Sequence, residues 1–221
     1  MTGVPAAVLT GEVLSVQVGR AGVLPWRGRE VVSAIVKTGV GEARVALGAG
    51  GLAGDAQADR RVHGGPDKAV CCYPSEHLPE WSALLGRELP HGAFGENLTL
   101  RGLTEREAHI GDTYTLGTAV VQVSQPRGPC FKIAARWGAR MLPNHLAQGL
   151  KAGFYLRVIE PGDVGARDLM TLVDRVSAVT VAEVLRVSYR DRQDLAALRA
   201  VVAVPELAAQ WRDGLASRLA D

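Results

Sequence analysis

The sequence predicts a mixed, mainly β protein: a β-barrel or sandwich with inserted helices, followed by a three-helix extension. From residue 8 to about residue 175, short β-rich runs alternate with glycine-rich turns. Many short strands at such spacing are typical of barrels and sandwiches. After residue 175 the pattern changes to helical periodicity. We therefore predict a β domain over residues 1–175 and a helical extension over residues 176–221.

Eight segments carry the strand pattern, and two of them form a predicted hairpin. Thr113–Leu116 and Ala119–Gln125 flank the two-residue turn Gly117–Thr118, and a short turn that contains glycine is typical of hairpins. The other predicted strands are Val8–Val18, Val31–Thr38, Ala69–Tyr73, Asn97–Leu100, Phe154–Glu160 and Leu169–Val176.

Three helices are predicted to interrupt the strands. Ser75–Gly86 begins with a capping serine, carries apolar residues at helical spacing and ends at a glycine. Cys130–Trp137 and Pro143–Gly149 are the other two.

The last stretch of the chain predicts three more helices. Thr180 and Glu183 form a capping-box pattern. Asp191–Asp194 opens a second helix, and Pro205 suits the first position of a third. Helices of about 10 to 15 residues are not stable alone. They must pack together, against the barrel or against a partner, and capping of the barrel is the default expectation.

The charge balance and the cysteine content limit which partners and which cellular compartment the sequence predicts. The chain has 25 basic and 23 acidic residues and no basic stripe, which argues against a nucleic-acid partner. Three cysteines, two of them adjacent, cannot build a disulfide framework. No signal peptide and no apolar run long enough to span a membrane is evident. We therefore predict a cytoplasmic protein.

The densest polar segment runs from Gly51 to Val70. Its glycines allow backbone amides to approach an anion closely. The alternatives are a simple turn at Gly64-Gly65-Pro66-Asp67 and a divalent metal site on Asp55, Asp59 and His63. The residues singled out here are Gly64, Gly65 and Lys68 for anion binding, and Asp55, Asp59 and His63 as proton donors or acceptors.

Two further segments carry candidate functional groups. In the first, Glu96 and Asn97 follow a glycine turn, and their side chains could bond a ligand or merely cap the loop. In the second, Cys130 lies at the start of a predicted helix, close to Arg127 and Lys132. Cations and a helix N-terminus favour the thiolate, the form that binds metal. The alternative is a buried structural cysteine, which is the interpretation we prefer for Cys71 and Cys72.

Together, these three segments resemble the signatures of MOSC domains. They read GLAGDAQADRRVHGGPDKAV at residues 51–70, FGENL at residues 94–98 and VSQPRGPCFK at residues 123–132. Their order and separation, and the three helices that follow, resemble the YiiM subgroup of the molybdenum cofactor sulfurase C-terminal domain family. The resemblance extends from about residue 8 to residue 221.

The resemblance implies a pyruvate-kinase-barrel-like β-barrel that binds molybdenum cofactor, a molybdopterin that carries molybdenum. Cys130 would then be a molybdenum ligand or a sulfur carrier. The residues expected to hold the cofactor are Gly64, Gly65, Lys68, Glu96, Asn97 and Arg127. No pyridoxal phosphate is expected on this chain. A homodimer is also compatible with the resemblance.

The activity that the resemblance implies is molybdenum-dependent reduction of N-hydroxylated small molecules, including hydroxylaminated purine bases. An external flavin or iron–sulfur protein would supply the electrons, and Asp55, Asp59 or His63 a proton. One alternative is a carrier of the cofactor, or of sulfur on Cys130. A third hypothesis is a metal-free thiol enzyme that uses Cys130 and a histidine.

Overall fold

The computed structural model describes residues 10–57 and 64–219, and within them a closed barrel of seven strands. The strands of the described chain are β1 Thr10–Val18, β2 Gly22–Trp26, β3 Arg29–Ser33, β4 Thr38–Gly39, β5 Val45–Gly48, β6 Gly51–Leu52, β7 Val70–Pro74, β8 Leu98–Arg101, β9 Thr113–Leu116, β10 Ala119–Pro126, β11 Phe154–Glu160, β12 Gly162–Val164 and β13 Leu169–Asp174. The predicted hairpin is confirmed, since Leu116 pairs with Ala119.

The barrel follows the order β1, β8, β7, β11, β10, β9, β13 and returns to β1. Only the β7–β8 pair is parallel among these seven pairings. Three antiparallel pairs, from Thr10–Thr171 to Glu12–Leu169, close the sheet. Alternate residues of β10, such as Val121 and Val123, point inward and are fully buried.

The predicted single strand Val31–Thr38 is wrong, because the chain leaves the extended conformation after Ser33. The Ser33 hydroxyl accepts a hydrogen bond from the Ile35 amide at 3.2 Å. Such a local bond competes with the strand ladder. Instead β3 pairs with β2 in a hairpin beside the barrel, and Ala34, Ile35 and Lys37 line a pocket. The short strands β2, β5, β6 and β12 had not been predicted.

Six α-helices occupy the described chain. They are α1 Leu78–Leu85, α2 Phe131–Trp137, α3 Leu142–Gly149, α4 Val181–Leu185, α5 Leu195–Val202 and α6 Ala209–Ala216. Single 3₁₀ turns lie at Pro66–Lys68, Ser75–His77 and Ser217–Leu219, and a wider π turn, Arg186–Arg190, continues α4. The three inserted helices lie where they were predicted. Ser75 makes no capping bond, however, because it opens a 3₁₀ turn instead.

The three C-terminal helices pack directly on the barrel. Val184, Leu198 and Leu215 belong to the same buried cluster as Val121 and Leu156 of the barrel strands. Each such side chain contributes about 1.5 to 3 kcal/mol through burial. The helical extension therefore caps the barrel and shares its hydrophobic core.

The predicted start of the last helix at Pro205 is wrong, because α6 begins at Ala209. The backbone N–H of Ala208 donates to the Ser124 carbonyl of β10 at 2.9 Å. Leu207 is buried in the shared core. These two tertiary contacts hold the segment before α6 out of a helix.

A second, smaller apolar cluster packs outside the barrel, around α1, α2 and α3. Tyr73, Trp81, Phe94, Ile133 and Leu146 belong to it. This cluster anchors the loop before β8 and the start of α2. Within the described ranges, no helix is both long and apolar enough to cross a membrane.

Candidate functional site

The three polar segments of the sequence meet around one pocket beside the barrel. Its volume, including the open mouth, is about 590 Å³. The described lining residues are Ser33, Ala34, Ile35, Lys37, Asp55, Ala56, Gln57, Lys68, Ala69, Cys71, Gly95, Asn97, Arg127, Cys130, Lys132 and Tyr155. Four of these residues are cationic and one is acidic, so the pocket favours an anionic ligand.

Cys130 presents a free thiol to this pocket. It is partly exposed and directly precedes α2, in an extended backbone conformation. The two prolines at 126 and 129 restrict the loop before it. The interpretation of Cys130 as a buried core cysteine is therefore not supported.

Arg127 supplies a buried positive charge with an unsatisfied donor. Its side chain is 6% exposed, and its Nη2 donates to the Phe94 carbonyl. Among the residues that the structure describes, its Nη1 has no hydrogen-bond partner. A buried charged donor without a partner is costly and uncommon in native proteins. A bound anion or carbonyl group would satisfy it.

Asp55 is held by three donors at one side of the pocket. Its Oδ1 accepts from Lys37 Nζ at 2.5 Å and from the Gly19 amide at 2.7 Å. Its Oδ2 accepts from Asn97 Nδ2 at 2.8 Å. A carboxylate with this set of donors is stabilised as an acceptor. Its role as proton source stays a prediction, and these contacts favour a positioning role instead.

Asn97 connects this carboxylate to the strand below it. Its Oδ1 accepts from the Cys71 amide at 3.0 Å, while its Nδ2 also donates to the Gln17 carbonyl at 3.3 Å. Asn97 lines the pocket, but its side-chain groups are already engaged by the protein. It therefore shapes the pocket wall.

Glu96 lies behind the pocket wall, against the expectation that it contacts a cofactor. It is fully buried and accepts from the amides of Gly92 at 2.6 Å and Phe94 at 2.9 Å. It also accepts from the Thr99 hydroxyl at 3.0 Å. The adjacent Gly95 packs so closely on Ile35 that a Cβ would lie 2.6 Å from its Cγ1. Both features fix the loop that carries Asn97.

The glycine turn before β7 provides open space and a lysine. Gly65 has φ 97°, which favours glycine, and a Cβ at this position would meet nothing within 4 Å. Gly64 beside it is partly exposed. Lys68 Nζ donates to Gln210 Oε1 of α6 at 2.7 Å. Burial lowers the pKa of Lys68. The turn therefore connects the pocket to the C-terminal helices.

Asp59 and His63 lie outside the described residues. The alternative of a metal site on Asp55, Asp59 and His63 lies partly there as well. Over residues 10–57 and 64–219, no group of three or more His, Cys, Asp or Glu side chains could hold a metal ion.

The lining residues that were not singled out as candidate site residues include Lys37, Cys71, Lys132 and Tyr155, of which Lys132 had been noted only for its charge near Cys130. Cys71 was interpreted as core, like Cys72. Adjacent strand residues point to opposite faces, and here Cys72 enters the barrel core whereas Cys71 lines the pocket. That alternation was the available signal.

Tyr155 lies opposite Cys71 on the neighbouring strand, and both side chains line this pocket. Burial raises the pKa of both side chains, so both keep their protons at neutral pH. Tyr155 lies on β11, which pairs with β7 at Tyr155–Cys71. The barrel register thus brings the two groups together.

Sequence and structure comparisons identify the family to which this fold belongs. The MOSC domain matches residues 59–171, and the YiiM-like 3-alpha helix domain matches residues 179–221. The chain belongs to the MOSC family. Residues 10–57 add further strands and part of the pocket wall to the matched segment.

Relatives of similar length share both parts of the chain. "Uncharacterized protein YflK" of Bacillus subtilis is 41% identical over 201 residues, which cover 90% of each chain. The crystal structure of YiiM from Geobacillus stearothermophilus is 39% identical, with a TM-score of 0.80 over 95% of this chain and 99% of that one. The Escherichia coli YiiM structure is 28% identical, with a TM-score of 0.75 over 98% of this chain and 94% of that one.

One longer relative has a name that states an activity. A Gibberella moniliformis protein named "Reductase" is 36% identical over 187 residues. The match covers 80% of this chain but only 32% of that protein.

Proposed function

We propose that this protein binds molybdenum cofactor in the pocket and reduces N-hydroxylated compounds with electrons from an external flavin or iron–sulfur protein. The observation that carries the proposal is the combination of the free Cys130 thiol and the unpartnered Arg127 Nη1 in one cationic pocket. MOSC membership gives the cofactor class.

The side chains of the pocket fit the chemical groups of this cofactor. A soft sulfur ligand such as Cys130 suits molybdenum. Arg127 and Lys132 would hold the phosphate or the pterin carbonyl, since guanidinium and ammonium groups bind such oxygens through charge-assisted hydrogen bonds. Gly64 and Gly65, which were expected to bind the anion, are not among the described lining residues, and the Gly65 amide donates to Gln57 Oε1 at 3.4 Å. Lys37 is held by Asp55 and supports the wall.

When bound, the cofactor would supply two-electron redox chemistry. The overall reaction converts an N-hydroxylamine to an amine, consumes two electrons and two protons, and releases water. Tyr155 would donate one of these protons to the departing oxygen, because it lines the pocket together with Cys130. Arg127 would hold the anionic parts of the assembly in place, and the pocket walls would restrict water.

The first experiment measures molybdenum and pterin content after expression in a host that makes the cofactor. We expect wild type to carry both and Cys130→Ser to lose most of the molybdenum, because a hydroxyl is a poorer ligand for a soft metal. Cys72→Ala is the matched control, since it removes a sulfur from the barrel core instead of the pocket. It should retain molybdenum.

The outcomes separate three functions. Wild-type protein without molybdenum or pterin, from a competent host, would refute the proposal. Loaded protein that never reduces an N-hydroxylated compound with an electron donor would favour a carrier. Activity of molybdenum-free protein that is abolished by thiol alkylation would favour a thiol enzyme.

A further inference from the structure

A second groove opens on the far side of Cys130, between the loop before α2 and the C-terminal helices. Its described lining residues are Lys68, Gln125, Gly128, Pro129, Cys130, Tyr155, Ser188, Tyr189, Arg192, Gln210, Trp211, Gly214, Leu215 and Arg218. Lys68, Cys130 and Tyr155 line both the groove and the pocket. The two spaces therefore meet at the thiol and the phenol.

The groove has an aromatic wall from two different helical segments. The rings of Tyr189 and Trp211 lie edge to face, with centroids 6.3 Å apart and an interplanar angle of 78°. A Cβ on Gly128 would lie 3.6 Å from the Tyr189 hydroxyl oxygen and 3.9 Å from Trp211 Cζ2. The loop that carries Cys130 therefore runs close to these rings. A planar ring can stack on such a surface.

The groove also concentrates positive charge. Lys68, Arg192 and Arg218 line it, and none of its described lining residues is acidic. Arg218 donates to the backbone carbonyls of Val187 at 3.0 Å and Arg192 at 2.6 Å. Burial and the neighbouring charge of Arg192 lower the pKa of Arg218. Two guanidinium groups in an acid-free groove favour an anionic ligand.

One buried acceptor in the groove lacks a donor. Gln125 is 1% exposed, and its Nε2 donates to the Pro126 carbonyl at 3.3 Å. Its Oε1 has no hydrogen-bond partner in the described part of the chain. A ligand N–H or O–H group would satisfy this oxygen.

We propose that this groove binds the non-reacting part of the substrate, and that it selects an aromatic ring that carries an anionic group such as a phosphate. Tyr189 and Trp211 would contact the ring, Arg192 and Arg218 the anion, and Gln125 a ring or sugar donor. This inference rests on the proposed function, since it places the reacting end of the substrate at Cys130 and Tyr155.

The cofactor is also an aromatic, phosphate-bearing molecule. It must therefore be argued which of the two spaces would bind the cofactor and which the substrate. The pocket contains the unpartnered guanidinium nitrogen of Arg127, the Lys132 ammonium and both thiols. It therefore offers a sulfur ligand together with anion donors. The groove shares Cys130 with the pocket but contains neither Arg127 nor Lys132, which leaves it to the molecule that reacts at the shared residues.

The experiment measures binding of adenosine 5′-monophosphate and of adenosine by isothermal titration calorimetry. These probes share a ring and a sugar and differ only in the phosphate. The full chain is titrated in its molybdenum-loaded and unloaded forms. We expect the monophosphate to bind about tenfold more tightly than adenosine to both forms, because charge-assisted hydrogen bonds add roughly 1.5 to 3 kcal/mol.

Three variants assign the contacts. Arg192→Gln should weaken the monophosphate about tenfold and leave adenosine unchanged. Trp211→Leu should weaken both probes about tenfold, since it removes the ring surface. Arg199→Gln is the matched control, because Arg199 is exposed on α5 and is not part of the groove lining. It should change neither affinity. Arg192→Gln is less apt to disturb the fold than a substitution of Arg218, because the Arg192 side chain makes no hydrogen bond with the described residues.

Three results would overturn the inference. Equal affinity for both probes would mean that the groove has no anion site. Equal effects of Arg192→Gln and Arg199→Gln would mean that Arg192 does not contact the anion. Monophosphate binding that disappears on loading would assign the groove to the cofactor. A chain that never binds molybdenum would refute the proposed function, yet the titration would still report on the groove.

Discussion

Tyr155 lies at the junction of the pocket and the groove, where a reacting group would meet both spaces. It pairs with Cys71 across the β7–β11 strands, and burial raises the pKa of its hydroxyl. A phenol that keeps its proton at neutral pH is a weak acid, and it would give that proton only to a strongly basic group such as a departing hydroxide. At the scale of single residues, the structure therefore adds the Tyr155 hydroxyl to the candidate site, which the spacing of residues in the sequence did not reveal.

Removal of the hydroxyl in Tyr155→Phe should lower kcat by about 100-fold, since a positioned acid contributes roughly 10²- to 10⁴-fold. Molybdenum content and KM should stay close to those of wild type. Steady-state kinetics on metal-quantified protein would measure this effect. If kcat were unchanged, the proton would have to come from another group.

The sequence predicted site residues best where the functional signal was local. Cys130 combines a thiol, two prolines and nearby cations within a few positions, and the structure places it in the pocket. Asp55 was harder, because its partners Lys37 and Asn97 come from separate segments. Spacing alone could not show that three donors would meet one carboxylate.

Among the elements, α4 begins with the predicted capping box, of which one of the two hydrogen bonds is confirmed. The Thr180 hydroxyl accepts from the Glu183 amide at 3.0 Å and caps the helix. The reciprocal half of the capping box is not made, because the Glu183 carboxylate bonds Arg186 instead. The capping residue could be identified from the sequence, whereas the competing arginine could not.

The Thr180→Ala substitution should lower the free energy of unfolding by about 1 kcal/mol, the typical cost of a lost N-cap. Urea denaturation followed by circular dichroism would measure it. Ser217→Ala is the control, because Ser217 is exposed and follows α6, where its hydroxyl bonds only the Gly214 carbonyl. An equal effect of the two substitutions would mean that the cap does not stabilise α4.

Long strands and helices with clear periodicity were predicted well, and short or tertiary-determined ones were not. Phe154–Glu160 has the predicted bounds. Gly51–Leu52 is only two residues long and depends on its partner β5, so no local pattern marks it. The late start of α6 depends on the Ala208–Ser124 bond, which joins distant parts of the chain.

For the molecule as a whole, the mainly β barrel with a three-helix cap was predictable, but the shared core of the two parts was not. Periodicity shows which face of a helix is apolar and does not show what covers it. The packing of Val184 and Leu198 against the barrel core answers that question. The domain boundary near residue 175 stays a prediction.

Stability of the whole protein should fall above about pH 9. Burial raises the pKa of Cys71, Cys72, Tyr73, Tyr114 and Tyr155 above the ordinary values of 9.0 for cysteine and 10.0 for tyrosine. The unfolded chain loses these protons first, so a rise in pH favours unfolding. Below pH 8 the same groups are protonated in both the folded and the unfolded state, so they do not make the free energy of unfolding depend on pH.

Urea denaturation at steps from pH 7 to pH 11 would measure this dependence. Each group should contribute a loss of up to roughly 1.4 kcal/mol per pH unit once its unfolded form ionises. The loss should begin near pH 9 with the cysteines and steepen near pH 10 with the tyrosines. A flat profile up to pH 11 would contradict the burial of these groups.

The pairing of β1 with β13 also has a consequence for biosynthesis. Residue 10 finds its partner only when residue 171 has left the ribosome. Until then, one edge of β1 offers unpaired amides and carbonyls to any neighbouring strand. The growing chain is therefore most exposed to misassembly before β13 emerges, and contacts so distant in sequence make barrel closure a slow, late event.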